Sequence, residues 1–260
     1  MTDIDSFNFF NLVSEFSSKE SLIQTGQEGY LQNKEALKQL KSQQVMWEDI
    51  LKFSGAVSVG SVFVPFPLIT LFGAGATAAA LEFHLAVSRL AAVTEMLLGH
   101  FGERNITITP RVKTDEGIID LLVKFPDRRI FAFMLKSKGT AFVKWREDRQ
   151  HFFISNRKKG GKRITRDPEL IKLSSKLNRM SLALKKEKNP LKGLSNTELN
   201  KITIKAIVLT GETKVDPNND PALFVDFGRA RVLRVQAESS IYVLNQDDDL
   251  INFLMPTEKT

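Results

Sequence analysis

The chain has no cysteine among its 260 residues. That excludes a disulfide framework, a thiolate zinc site, an iron–sulfur cluster and a cysteine nucleophile. Histidine is nearly as scarce: His84, His100 and His151 are scattered along the chain, which makes an imidazole metal site or a catalytic triad hard to assemble. The first residues, Met1-Thr2-Asp3-Ile4-Asp5, lack the basic-then-apolar order of a secretory signal, so the chain reads as unprocessed and cytoplasmic. Disorder is excluded as a general description, because 42% hydrophobic residues suffice to bury the core of one large domain or two small ones.

Charge is missing altogether from residues 53–81, where 18 of 29 positions are Ala, Val, Ile, Leu or Phe. A helical crossing of a bilayer needs about 20 such residues, so length alone permits a span. Pro65 and Pro67 interrupt the run and leave arms of 12 and 14 residues. Each arm is roughly 18–21 Å long as helix, too short to cross alone. Lys34, Lys38, Lys41 and Lys52 precede the run, and only Arg89 follows it within 20 residues. A single span would hold the N-terminus inside and export the rest of the chain, whereas a re-entrant or interfacial hairpin keeps both ends inside. Two readings stay open: a hydrophobic hairpin docked on the inner face of a membrane, or the same hairpin buried in the protein or in a homo-oligomer interface.

The net charge of +7 is unevenly spread: residues 1–52 carry −3, 53–133 are neutral, 134–193 carry +13 and 194–260 carry −3. So dense a block is the pattern of an anion-binding surface rather than of a generally basic protein.

Hydrophobic spacing divides the chain into a helical region over residues 1–52, the hairpin over 53–81 and an α/β domain over 82–260. Phe9, Val13 and Phe16 share one helix face, and Leu37, Leu40, Trp47 and Leu51 recur at helical spacing. Phe83, Val87, Leu90, Ala91, Leu98 and Phe101 then mark a helix that ends near Gly99 or Gly102. Strands are expected at 106–112, 117–125 and 129–136, followed by one extended segment at 145–155 and a loop at 156–166. Asp167-Pro168 caps a helix reaching about residue 187, with Leu170, Leu173, Leu177, Met180 and Leu184 along one face. Strands at 202–209, 222–226, 230–235 and 241–244 and a short helix at 250–254 close the chain.

Metal-dependent phosphodiester cleavage needs oxygen ligands for a hard cation and a positive group that activates water or stabilises developing charge. Two strands supply these when one carries a carboxylate near its bend and the next carries an acid and a lysine two residues apart on one face. Here Asp120 closes Gly117-Ile118-Ile119-Asp120, Met134 and Lys136 share a face of the following strand, and Glu95 lies at the edge of the preceding helix's apolar face. At these residues the chain resembles the PD-(D/E)xK nuclease superfamily, in particular its nuclease-related domain, over about residues 82–210. The resemblance implies a restriction-endonuclease-like α/β fold, a mixed sheet flanked by helices. It also implies Asp120 as principal metal ligand, Glu95 as a second acid, Lys136 as the catalytic lysine, and Mg2+ or Mn2+ as the cofactor. Met134 stands where the superfamily places Glu, Asp or Gln, and a thioether is no ligand for Mg2+. Glu95 and Glu116 are the acids available to replace it. A nucleic-acid-binding module with a degenerate nuclease site is therefore expected ahead of an efficient endonuclease.

The basic block supplies the second constellation. Arg157, Lys158, Lys159, Lys162, Arg163 and Arg166 surround Gly160-Gly161, with Lys138 upstream, and the glycines allow the backbone to approach a phosphate chain closely. Trp145, Phe152 and Phe153 lie just before them and are suited to stacking on bases or to core packing. Nucleic acid, DNA ahead of RNA, is the expected partner. The alternative is a membrane-associated scaffold whose basic loop binds acidic lipid beside the hairpin.

Overall fold

A computed structural model describes residues 31–60, 67–156, 164–184, 203–236 and 239–256. Helix α1 spans Asn33–Gly60 and α2 spans Pro67–Phe101. Pro67 opens α2, where its missing N–H is tolerated. At the other end Gly102, with φ of 72°, donates its N–H to the carbonyl of Leu98 and stops the helix. The two helices pack antiparallel. The Trp47 ring stacks on Phe83 at 5.0 Å and 12°, and Lys41 pairs with Glu95 at 2.6 Å. Helix α2 runs unbroken through residue 82, so helix rather than linker joins the charge-free run to the α/β part. Residues 61–66, with Pro65 and Phe66, lie outside the described residues, as do the segment of Phe9, Val13 and Phe16 and the loop at 157–163. Among the described residues no helix is long and apolar enough to cross a membrane.

Strands β1 (Thr107–Thr114), β2 (Gly117–Lys124) and β3 (Ile130–Lys136) form an antiparallel meander. Strands β4 (Ala141–Arg146), β5 (His151–Asn156) and β6 (Ile164–Arg166) follow, then α3 (Pro168–Ala183) and β7 (Thr203–Leu209). Strand β7 lies parallel to β3. After it come β8 (Lys214–Val215), β9 (Phe224–Phe227), β10 (Ala230–Gln236), β11 (Ser240–Asn245) and α4 (Gln246–Leu254). The result is α/β: a seven-stranded mixed sheet in the order β1-β2-β3-β7-β11-β10-β9, and a second sheet in the order β6-β5-β4-β8.

Both faces of the large sheet are covered, which explains why its central strands are nearly continuous apolar runs rather than alternating ones. On one face Phe131, Phe133, Ala206, Val208 and Leu244 pack against Leu90, Val93 and Leu97 of α2 and Leu250 and Phe253 of α4. On the other, Ile119, Leu122, Ile130, Ala132 and Met134 pack against Leu177 and Met180 of α3. Further along that face, Ile207, Leu209, Leu233 and Val243 meet Val143, Trp145 and Phe152 of the second sheet.

The segment at 145–155 is not one extended element but the β4–β5 hairpin, turned by a 3-10 segment at Glu147–Arg149 and by Gln150 at φ of 51°. No glycine or proline marks this turn, so nothing in the sequence announces a reversal there. Trp145 and Phe152 face each other across it edge-to-face at 4.8 Å and are 3% and 0% exposed, so they are core residues and not platforms for bases.

Two substitutions test this packing. Phe131 is fully buried and touches the rings of Phe125, Phe133, Phe227 and Phe253, so Phe131→Ala should cost about 3–5 kcal/mol in urea unfolding. Gly228 holds φ of 63° in the β9–β10 turn, and an added Cβ would meet the carbonyl oxygens of Asn252, Met255 and Phe253 at 2.6–2.7 Å. Gly228→Ala should therefore cost about 2 kcal/mol or more and loosen α4 first, as read by amide exchange.

Candidate functional site

The pairing of β2 with β3 runs from Lys124↔Ile130 to Leu121↔Phe133 and stops there. At the next residue a side chain takes over: Oδ2 of Asp120 accepts the backbone N–H of Leu135 at 2.8 Å. On the other side, the flanking pairs Pro110↔Leu121 and Val112↔Ile119 set Arg111 directly across from Asp120. Arg111 has φ of 51°, a strained value for a residue with a Cβ. Here both strands exchange faces: Ile108 and Leu121 belong to the core under α2, and Val112 and Ile119 to the core under α3.

The exchange opens a cleft of about 320 Å3 between α2 and the strand ends. Phe83, Arg89 and Leu90 of α2, Arg111, Ile118, Asp120, Met134, Lys136 and Leu173 of α3 are among its walls. Burial pushes the Asp120 carboxyl up to about 6, against the pull of the Leu135 N–H and of Arg111, Lys136 and Lys176. Lys176 reaches this region by lying across Gly117, where φ is 137° and a Cβ would fall 2.5 Å from the lysine Cε.

Lys136 and Lys138 both pair with Glu169 in the first turn of α3, and Lys138 also meets Oδ2 of Asp167 at 2.9 Å. Asp167 is the N-cap, its Oδ1 accepting the N–H groups of Glu169 at 2.8 Å and Leu170 at 3.2 Å. Partial burial opposes the charge on Glu169, but the two lysines overcome it and hold the carboxyl below its ordinary value. Lys138 is held above its ordinary value by Glu169 and Asp167, again against burial. Its ammonium thus fastens the start of α3 to the end of β3. Glu169 is the residue that sequence reasoning missed: its place after an Asp-Pro cap is legible, but its two lysine partners lie 33 and 31 residues away.

The expected residues come together only in part. Asp120, Met134 and Lys136 line one cleft. Glu95 does not: it lies farther along α2 than the cleft wall, is 57% exposed and pairs with Lys41 of α1. Glu116 pairs with Arg179 at 3.4 Å, on the α3 side. Arg166 is exposed on β6, and Arg157, Lys158, Lys159, Lys162 and Arg163 lie outside the described residues.

A hard divalent cation needs several oxygen ligands. Asp120 is the one carboxylate in the cleft wall, Met134 offers sulfur, and Glu169 is engaged by two lysines. Among the described residues no group of three or more histidine or acidic side chains is placed to hold a metal. This donor set does not fit Mg2+ or Mn2+. Comparison with protein families, characterised proteins and solved structures gives no match.

Asp120 makes the stability pH-dependent in an unusual direction. The folded protein keeps this proton to about pH 6, whereas an ordinary aspartate loses it near 3.8, so stability falls as pH rises through that window and the loss is complete above it. The loss is about 3 kcal/mol. Asp120→Asn keeps an acceptor for Leu135 without the charge. It should raise urea-unfolding stability at pH 7.5 by about 1–3 kcal/mol and flatten the decline between pH 4 and 6. A variant less stable than the parent at pH 7.5 would show that the carboxylate stabilises the fold.

Proposed function

We propose that this chain is a nucleic-acid-binding protein built on a nuclease-like α/β domain whose metal centre is degenerate. The observation that carries this reading is the meeting of Asp120, Met134 and Lys136 in one cationic cleft at the point where β2 leaves β3. The order helix, three antiparallel strands, the intervening strands β4 to β6, helix, strand, with the last strand parallel to β3, supports a restriction-endonuclease-like assignment. So does a carboxylate facing the strand that ends in Lys136. With Met134 at the place of the second acid, the site retains the positive groups that attract a phosphate chain and lacks the ligands that would load a hydrolytic metal.

The +13 block supplies the remaining contact surface. It runs from the end of β3 through the segment around Gly160-Gly161 to the face of α3 that carries Lys172, Lys176 and Arg179. Arg166, exposed on β6, stands at the described edge of that surface.

Duplex DNA should be retained at about 50 mM salt and released by orders of magnitude at about 200 mM, as expected when six to eight phosphates are neutralised. Neutralising Arg157, Lys158, Lys159, Lys162 and Arg163 together should flatten that slope; equal retention by this variant would remove the basic segment from the interface. With Mg2+ or Mn2+ the protein should leave supercoiled plasmid intact, and Met134→Glu should introduce nicking that Asp120→Ala in the same chain abolishes. Efficient nicking by the unaltered protein would overturn the degenerate-site reading.

A further inference from the structure

The walls of the cleft are of two kinds. Arg89, Arg111 and Lys136 line it. Neither Arg89 nor Arg111 forms a close ion pair with any described residue, although Arg111 feels the charge of Asp120 across the strand pair. Two guanidinium groups and an ammonium against the single carboxylate of Asp120 leave the wall net positive, and guanidinium groups are well suited to phosphate. Phe83 also lines the cleft; the residue is 37% exposed, and the Trp47 ring stacks on its ring at 5.0 Å. A partly exposed aromatic ring fixed by stacking on a second ring is suited to a nucleobase. Leu90, Ile118 and Leu173 supply apolar wall between. Phe83 and Arg89 are six residues apart on α2, about 9 Å along its axis, and both line the cleft. A volume of about 320 Å3 admits one such unit and little more.

We propose that this cleft binds a single unpaired nucleotide, its base on Phe83 and its phosphate between Arg89 and Arg111. The Asp120 carboxyl, tied through Oδ2 to the Leu135 N–H, has its other oxygen left for a sugar hydroxyl. This rests on the nucleic-acid reading above and deepens it: the basic block would hold the strand, and the cleft would take a terminal nucleotide. The same chemistry is offered by a free mononucleotide.

Calorimetric titration of the full chain with adenosine 5′-monophosphate, adenosine and inorganic phosphate tests this directly. The monophosphate should bind about tenfold or more tighter than phosphate, and adenosine more weakly still. Phe83→Leu, which keeps apolar bulk over Trp47, should bring the monophosphate down to the phosphate level and leave phosphate binding unchanged. Arg89→Gln and Arg111→Gln should each weaken both, with thermal melting used to confirm that the variants are folded. Equal affinity for the monophosphate and phosphate, or an unaltered Phe83→Leu variant, overturns the platform; no binding of the monophosphate overturns the site. A 5′-phosphorylated single strand that displaces the monophosphate identifies a strand end as the source, and failure to displace it identifies the free nucleotide. Loss of duplex retention with monophosphate binding intact would defeat the wider reading alone, and the reverse result would defeat this one alone.

Discussion

Where β2 parts from β3, a half-buried carboxylate replaces a backbone carbonyl as the acceptor for the N–H of Leu135. A sheet that loses a strand neighbour leaves polar backbone groups to be satisfied, and in a covered sheet water is not there to do it. Asp120 satisfies one of them from a side chain. Across the pair, Arg111 takes the strained backbone angle that lets β1 follow β2 through the change of face. The cleft is what this exchange leaves open beneath α2. Desolvation of Asp120 opposes its ionisation, and the cations around it only partly offset that.

The rest of the fold makes that point rigid. The Phe131 aromatic cluster anchors β3 to α4, and Leu177 and Met180 of α3 press on Met134 from the opposite face. Lys136 and Lys138, at the end of the same strand, bind the first turn of α3 through Glu169 and Asp167. The strand is therefore fixed on both faces and at its end. Phe83 is set in the same way, by Trp47 beneath it and the α1–α2 pairing around it. Preorganised walls of this kind lower the cost of ordering a ligand in the cleft.

Element by element, the sequence was most legible where physical signals are local. The Asp167-Pro168 cap, the glycine that ends α2, and the apolar runs of β1, β2, β3 and β7 are short-range features, and each lies within a few residues of where it was expected. The β4–β5 reversal was hidden because its turn is built from charged residues and an αL glutamine, without glycine or proline. The second sheet was equally hidden, since β8 is two residues long and joins β4 only through pairing across more than 70 positions. At the site, Asp120, Met134 and Lys136 could be related from strand spacing alone. Glu95 misled, because the edge of a helix's apolar stripe can turn toward a sheet or toward another helix, and Lys41 on α1 decides for the latter.

By itself the sequence determined the composition of the surfaces: no thiol chemistry, scarce imidazole, a single basic block and a strand pair carrying an acid and a lysine. Those follow from residue identity and from periods of two and 3.6, which need no knowledge of distant partners. Only the tertiary structure decided which charges are compensated. It joined Lys136 and Lys138 to Glu169, turned Glu95 away to Lys41, left Arg89 and Arg111 facing a cleft, and brought Phe83 over Trp47 at its rim. The reason is physical: a side chain's charge and reach are written in its own residue, but the groups that neutralise, bury or stack on it come from elsewhere in the chain and meet it only when the layers pack.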